Sequence, residues 1–250
     1  IFVVKIKNNM RVCILGSGLS SLSLAKALVN KKINVDVVFT KKFKPVNRSR
    51  TLSISKSNVD FFNKYITNIE KFSWKLKKIH IFSENLKNDK LINFDNGKYE
   101  LFSIIKNYKL YQLLEKDLSK SKFFKSKFST NRNESFLNKY ELLINCDPFN
   151  FITKRYFSKK ISKEYNSTAY TTIISHDKIK NDVAVQIFTK KGPLAFLPSS
   201  NRETSIVFSV HNSKDQKNIN IEQLIRDKNF KYKIKSLEKV SSFELESSNL

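Results

Sequence analysis

Residues 11–22 read RVCILGSGLSSL, and this stretch decides the fold. The apolar run at 12–15 predicts a short buried strand over 11–15, and the leucine and alanine residues from position 19 onward recur at helical spacing. The chain has only 4 glycines among its 250 residues, and two of them, Gly16 and Gly18, stand between this strand and this helix. The stretch therefore predicts a strand, a tight glycine turn and a helix.

A glycine turn in this context is typical of dinucleotide-binding folds, in which a pyrophosphate lies against the N-terminus of the helix. Gly16 allows the tight turn, and Gly18 lets the backbone approach the phosphates. Ser21 stands where the fingerprint has its third glycine, and its small side chain still permits close packing of the helix on the strand. An ordinary strand–turn–helix without a ligand is the alternative. The predicted cofactor-binding turn consists of Gly16, Ser17, Gly18, Leu19, Ser20 and Ser21.

A second strand is predicted over residues 33–39, which completes a β-α-β unit of about thirty residues. In such units an acidic residue at the end of the second strand holds a ribose hydroxyl. Here the strand ends in Phe39-Thr40-Lys41, so that acid is missing. Thr40 is the residue that we expect to offer a hydrogen bond there.

The composition favours a folded protein without a nucleic-acid partner. Hydrophobic residues make up 40% of the chain, and no apolar run approaches the roughly 20 residues that span a bilayer. The net charge of +25 is spread along the whole chain, so it fits weak attraction to an anionic membrane better than nucleic-acid binding. Cys13 and Cys146 lie in apolar runs, which favours buried thiols in a cytoplasmic protein. No cluster of cysteine and histidine predicts a metal site.

The order of the remaining elements indicates an α/β fold that ends in a run of strands. Asp147 closes a predicted parallel strand at 141–147, where it either faces a ligand crevice or begins a turn. Residues 119–139 are rich in Lys, Ser and Asn, which predicts a loop or a poorly formed hairpin. The other predictions are helices at 58–66 and 108–118 and strands at 78–82, 91–94, 171–174, 183–188, 194–197 and 204–210. This order predicts an α/β nucleotide domain interleaved with a mainly antiparallel sheet domain.

Residues 186–198 read QIFTKKGPLAFLP, and residues 204–209 read TSIVFS. Together they closely resemble the middle-domain signature of the UbiH/UbiF family, which are FAD-dependent aromatic-ring monooxygenases of ubiquinone biosynthesis related to para-hydroxybenzoate hydroxylase. The glycine turn is similar to the FAD-binding turn of that family. Residues 50–55 (RTLSIS) look like its segment with an arginine near the flavin, and residues 107–110 (NYKL) resemble its E-N-x-x-L helix start.

The resemblance implies a Rossmann-like FAD-binding domain (10–75 and 98–165) interleaved with a mainly antiparallel β-sheet substrate domain (76–97 and 166–250). It implies hydroxylation of a polyprenylphenol ubiquinone precursor with FAD, NAD(P)H and O2. The implied location is the cytoplasm or the inner membrane face, where the protein would bind peripherally. Association with the membrane or with a ubiquinone-synthesis complex is the partner that we expect besides the substrate. No residue is assigned as catalytic. The expected FAD contacts are the glycine turn, Thr40, Arg50, Asn107 and Asp147. The expected substrate-lining residues are Gly192, Pro193, Leu194, Phe196 and Pro198, and the alternative is a Gly-Pro turn followed by a core strand.

Two departures from the family pattern matter. The second FAD motif, A-D-G-x-x-S-x-x-R, reads CDPFNFITK over residues 146–154, so Asp147 is kept but Pro148 replaces the glycine. The third motif, G-D-x-x-H-x-x-x-P, would follow Leu250, so we expect a fragment that by itself binds FAD weakly and lacks activity. The departures support a second hypothesis, a catalytically impaired flavoprotein that serves as a scaffold. A basic RNA-binding protein is a third, supported by charge alone.

Overall fold

The computed structural model describes residues 10–39, 48–84, 90–95, 97, 99–129, 138–156, 161–212 and 220–249. The strands are β1 (Arg11–Leu15), β2 (Asn34–Phe39), β3 (Thr51–Ser55), β4 (Ser73–Leu76), β5 (Lys78–Ser83), β6 (Lys90–Asp95), β7 (Phe102–Lys106), β8 (Phe124–Phe128), β9 (Leu142–Asn145), β10 (Ile161–His176), β11 (Val183–Thr189), β12 (Gly192–Pro198), β13 (Glu203–His211), β14 (Ile234–Leu237) and β15 (Ser241–Asn249). The α-helices are α1 (Leu19–Asn30), α2 (Lys56–Phe61), α3 (Asn107–Ser119), α4 (Phe151–Tyr156) and α5 (Ile221–Lys228). A π-helical turn, Phe62–Ile66, continues α2, and a short 3-10 turn covers Glu70–Phe72.

A parallel sheet in the order β8-β2-β1-β9 forms the predicted nucleotide half. The predicted strand, turn and helix at residues 11–30 are confirmed, because β1 pairs in parallel with β2 and β9, and α1 follows the turn. Helix α1 packs beside α3, and both bury apolar side chains against one face of this sheet. Since the strands are parallel, their carboxyl ends meet at one edge, where the Gly16 turn lies.

The prediction of a loop over residues 119–139 was wrong at β8. Residues 124–128 (FKSKF) form the edge strand of the parallel sheet and pair with β2 from Val35 to Phe39. This edge strand has only one neighbour, and Lys125, Ser126 and Phe128 are exposed, so the segment lacks the apolar run that marks a buried strand. The sequence signal was therefore a weak alternation of Phe and Lys rather than a hydrophobic block.

The second half is an eight-stranded, mostly antiparallel sheet in the order β14-β10-β13-β12-β11-β5-β6, with β15 also paired to β10. One face packs against α5, where Ile221 and Ile225 join a core that contains Leu194, Phe196 and Phe208. The opposite face, here called the inner face, contacts the small sheet β3-β7-β4. The predicted α/β class, with one parallel sheet and one mainly antiparallel sheet, is confirmed.

Polar contacts join the inner face to the small sheet. Thr51 Oγ1 donates to Ser205 Oγ at 3.0 Å, and the Ser49 and Thr171 hydroxyls lie 3.1 Å apart. The Lys106 ammonium donates to Glu203 at 3.0 Å. These contacts hold β3 and the start of α3 against the large sheet. The domain boundaries assigned from the sequence stay a prediction.

Candidate functional site

The glycine turn fits closely between the ends of two parallel strands. Gly16 has a φ of +107°, and a Cβ built there would lie 3.2 Å from the Asp147 Cβ and 3.3 Å from the Cys146 carbonyl carbon. Its N–H donates to the carbonyl oxygen of Val38 at 2.8 Å. A side chain at position 16 is therefore disfavoured both by backbone conformation and by space.

Gly18 differs, because the protein itself gives no reason for a glycine there. Its φ of −77° and ψ of 178° suit any residue, and a Cβ would meet nothing within 4 Å among the described residues. Gly18 precedes α1, whose N-terminus has no side-chain cap and no acidic residue in its first turn. Unpaired N–H groups at a helix N-terminus attract anions, so the open space at Gly18 suits a phosphate group that approaches the backbone.

Two buried side-chain oxygens near this turn and at the start of α3 lack hydrogen-bond partners among the described residues. They are Ser21 Oγ and Asn107 Oδ1, and both residues are expected FAD contacts. Ser21 is fully buried, and its Oγ lies 3.2 Å from the Cβ position of Gly16. A buried polar atom without a partner costs about 1–3 kcal/mol, so both atoms fit a site that a polar ligand completes.

A cavity of about 210 Å³ continues from the turn, with β2 and β8 on one side and α1 and α3 on the other. Leu22, Val37 and Phe124 give it apolar walls. Its polar lining includes Ser17, Tyr111 and Glu115. Because Ser17 belongs both to the glycine turn and to the cavity, the two form one continuous candidate site. Thr40, predicted to contribute at this position, lies outside the described residues.

Asp147 begins a turn, which is one of the two roles that the sequence left open, and its place at a ligand crevice stays a prediction. It follows β9 and packs against Gly16, and the Asp147 Oδ1 accepts from the N–H of Phe149 at 3.0 Å. Asn145 Oδ1 accepts from the Asp147 N–H at 3.1 Å, and Thr153 Oγ1 donates to the Asp147 carbonyl at 3.0 Å. Hydrogen bonds within residues 145–153 thus fix the conformation of the segment that contains Pro148, at the edge of the candidate site.

Arg50 lies at the junction of the two halves. Its guanidinium carbon is 4.5 Å from the centre of the Phe243 ring on β15, and its side chain is exposed. The carbonyl oxygen of Arg50 accepts from the Asn107 N–H at 3.0 Å, which places two expected FAD contacts side by side. The assignment of Arg50 to the flavin stays a prediction.

The expected substrate segment lies on β12, and its residues alternate between the faces of the sheet. Leu194 and Phe196 are 0% and 2% exposed in the core beneath α5, and Pro198 is buried on the same face. Pro193 is exposed on the inner face. Gly192 has a φ of +136°, and a Cβ there would lie 2.0 Å from the Ser209 carbonyl oxygen, so the sheet itself requires this glycine.

The inner face carries a row of residues that the sequence did not single out. The strand register aligns Gln186, Ala195, Val207 and Thr171 across β11, β12, β13 and β10. The first three are half-buried, and Thr171 touches Ser49 beside Arg50. The signal was the two-residue period of β12, which puts Ala195 opposite to its buried neighbours.

Comparison with solved structures relates this fold to FAD-dependent monooxygenases. PnpA, the p-nitrophenol 4-monooxygenase of Pseudomonas putida, matches with a TM-score of 0.68 and 9% identity over 97% of this chain and 69% of its own. A putative FAD-containing monooxygenase of Photorhabdus luminescens matches with a TM-score of 0.66 and 12% identity, over 96% of this chain and 77% of its own. PqsL, a probable FAD-dependent monooxygenase of Pseudomonas aeruginosa, matches with a TM-score of 0.62 and 13% identity, over 82% of this chain and 61% of its own. The chain thus spans about three fifths of the length of PqsL.

At these identities the likeness concerns the fold alone. No family profile matches the sequence, and a search of curated proteins found no match. Within the described ranges, no helix has both the length and the apolar character needed to cross a bilayer.

Proposed function

We propose that the protein is a flavoprotein monooxygenase that binds FAD at the Gly16–Ser21 turn and hydroxylates an aromatic ring. The observation that carries this proposal is Gly18. A glycine that the protein does not need, at the uncapped start of α1, is explained by a phosphate-bearing ligand that occupies the space of a side chain. The fold shared with FAD-dependent monooxygenases and the partnerless Ser21 hydroxyl support it.

The residues of the site divide by what each offers the cofactor. The N–H groups at the start of α1 would hold the pyrophosphate, and Asn107 and Arg50 would lie further along toward the large sheet. When bound, FAD accepts electrons from NAD(P)H and activates O2, so the protein chiefly positions the ring and excludes water. This agrees with the lack of an assigned catalytic acid or base in the sequence.

The inner-face row Gln186–Ala195–Val207 is the proposed substrate surface. It is half-buried, and the small side chain of Ala195 leaves room for a flat ring. The resemblance of residues 186–198 to the ubiquinone-biosynthesis hydroxylases favours a prenylated phenol as substrate. A prenyl chain and a net charge of +25 also favour peripheral contact with an anionic membrane.

Titration of the purified chain with FAD, followed by flavin fluorescence, tests the cofactor assignment. We expect saturable binding by the native chain and its loss in Gly18→Val, since valine would fill the phosphate space. The variant should keep its fold, because no other part of the described structure comes within 4 Å of the added Cβ. The control is Lys116→Ala on the exposed side of α3, which should bind as the native chain does. Equal FAD affinity in Gly18→Val and the native chain would contradict the proposal.

A scaffold flavoprotein without hydroxylase activity is the second candidate, and the Asp147–Pro148 turn favours it. One carboxylate oxygen of Asp147 is committed to the N–H of Phe149, and Pro148 offers no N–H to a ligand. NAD(P)H consumption by the FAD-loaded protein, with and without a prenylphenol, separates the two candidates. Consumption that rises with the phenol supports the enzyme. FAD binding without consumption supports the scaffold when a chain extended through the third motif also shows none.

A further inference from the structure

The cavity beside the glycine turn is lined by an acid, Glu115, whereas β2 ends without an acid. In β-α-β nucleotide sites an acid at the end of the second strand accepts hydrogen bonds from a ribose. Strand β2 ends at Phe39, whose side chain lines the cavity and can accept no such bond. Glu115, in the middle of α3, reaches the same cavity from the opposite wall.

The one acid within β2, Asp36, cannot accept hydrogen bonds from a ligand in the cavity. Asp36 alternates with Val37, and it is Val37 that faces the cavity. The Asp36 carboxylate is buried on the other side of the sheet, where Lys127 and Tyr140 donate to it at 2.6 Å each. It therefore belongs to the packing between β2, β8 and the start of β9.

Glu115 is oriented by its neighbour on the same helix. Tyr111 is buried and hydrogen-bonds to Glu115 one helical turn later. Burial, followed by the charge of Glu115, raises the pKa of Tyr111, so its hydroxyl stays protonated and donates to the carboxylate. One carboxylate accepts several hydrogen bonds, so Glu115 retains capacity for a ligand in the cavity.

We propose that Glu115 accepts hydrogen bonds from the ribose hydroxyls of the adenosine half of the cofactor, in place of the missing acid of β2. The proposal rests on the proposed function, since it takes the glycine turn to hold the pyrophosphate. Ser17 joins the turn to the cavity, so the group next to the phosphates along the ligand enters the cavity. At about 210 Å³ the cavity is smaller than common ligand pockets of about 300–1,000 Å³, which suits a nucleoside rather than a whole dinucleotide.

The charge of Glu115 also determines which adenosine is accepted. A carboxylate accepts from two neighbouring hydroxyl groups, whereas it repels a phosphate on the ribose. Among the described residues that line the cavity, Glu115 carries the only formal charge. The site therefore favours an adenosine with free ribose hydroxyls, as in FAD, over one with a 2′-phosphate.

Calorimetric titration of the purified 250-residue chain with three probes, ADP, 2′,3′-dideoxy-ADP and inorganic pyrophosphate, tests the proposal. We expect the native chain to prefer ADP over dideoxy-ADP by about tenfold, as for hydrogen bonds to a charged group. Glu115→Gln should lose most of this preference and should bind pyrophosphate at least as tightly, because it removes a negative charge near the phosphates. Tyr111→Phe should lose part of the preference for ADP, because the Glu115 carboxylate then lacks the hydrogen bond that orients it. The matched control, Glu222→Gln on α5, should keep the full preference.

Each outcome decides one point. An undiminished preference for ADP in Glu115→Gln overturns the role of Glu115 and leaves the proposed function standing. A parallel loss of ADP and pyrophosphate affinity in that variant also overturns it, because general damage to the site would then be the cause. A native chain that binds none of the three probes overturns both proposals.

Discussion

The Nζ atom of Lys127 lies 2.6 Å from Oδ2 of Asp36, and this ion pair joins the edge strand β8 to β2. Tyr140 donates to the same oxygen at 2.6 Å, and Arg11 lies at 3.6 Å. Asp36 is only 5% exposed. Burial raises the pKa of this carboxyl, but the hydrogen bonds from Lys127 and Tyr140 outweigh burial and hold the pKa below its usual value.

Replacing Asp36 should therefore change the pH dependence of stability. A carboxyl with a lower pKa in the folded state stabilises fully above the unfolded pKa of about 4 and loses this effect as pH falls through the folded value. We expect Asp36→Asn to cost about 1–3 kcal/mol at pH 7 and to lose less stability than the native chain below pH 4. Urea unfolding at a series of pH values measures both effects. Asp60→Asn, at an exposed site, is the control, and parallel pH profiles for Asp36→Asn and the native chain would contradict the prediction.

The same ion pair explains which parts of the fold could be predicted from the sequence. Residues 12–15 bury a continuous apolar run, and local composition was enough to predict β1. Strand β8 carries Lys125 and Lys127 on a sheet edge, and it is stabilised by a partner 91 residues away. Tertiary contacts of this kind leave no local pattern, so the sequence indicated a loop.

In the candidate site, too, local features could be predicted from the sequence, whereas features formed by tertiary contacts could not. The glycine turn was predictable because Gly16 and Gly18 are scarce residues between a strand and a helix. The cavity was not, since it brings Glu115 and Phe39 together from α3 and β2. On β12, the motif predicted a substrate segment, but only the strand register distinguishes Ala195 on the inner face from Phe196 in the core.

The two glycines of the turn should respond differently to alanine. Gly16→Ala puts a Cβ 3.2 Å from the Asp147 Cβ at a φ of +107°, so we expect a loss of about 1–3 kcal/mol in stability. Gly18→Ala, the matched change two residues later, should lower the free energy of unfolding by about 1 kcal/mol or less, which is the usual effect of such a substitution at a helix N-cap. Thermal unfolding without added ligand compares them. Equal losses would mean that the Gly16 turn is less constrained than its contacts indicate.

The contact between Lys106 and Glu203 should stabilise the junction of the two halves. The Lys106 side chain is 10% exposed and that of Glu203 is 37% exposed, so loss of the acid leaves a mostly buried cation. We expect Glu203→Gln to cost about 1–3 kcal/mol. The double variant with Lys106→Met should regain part of this loss, because it removes the unpaired charge. Chemical unfolding of the four proteins of the cycle measures the coupling, and additive losses would rule out a direct interaction.

The inner-face row Gln186–Ala195–Val207 can be tested as a substrate surface by enlarging its smallest side chain. Ala195 is half-buried in register with Gln186 and Val207, so Ala195→Leu would fill the space proposed for the aromatic ring without touching the glycine turn. We expect unchanged FAD affinity and a loss of about tenfold or more in the affinity for a prenylphenol, followed through the absorbance of the bound flavin. Leu194→Met on the opposite face conserves core volume and should leave both affinities unchanged. If Ala195→Leu binds the phenol as the native chain does, the ring lies elsewhere. If it also loses FAD, the substitution has disturbed the junction of the halves, and the row is structural rather than a substrate surface.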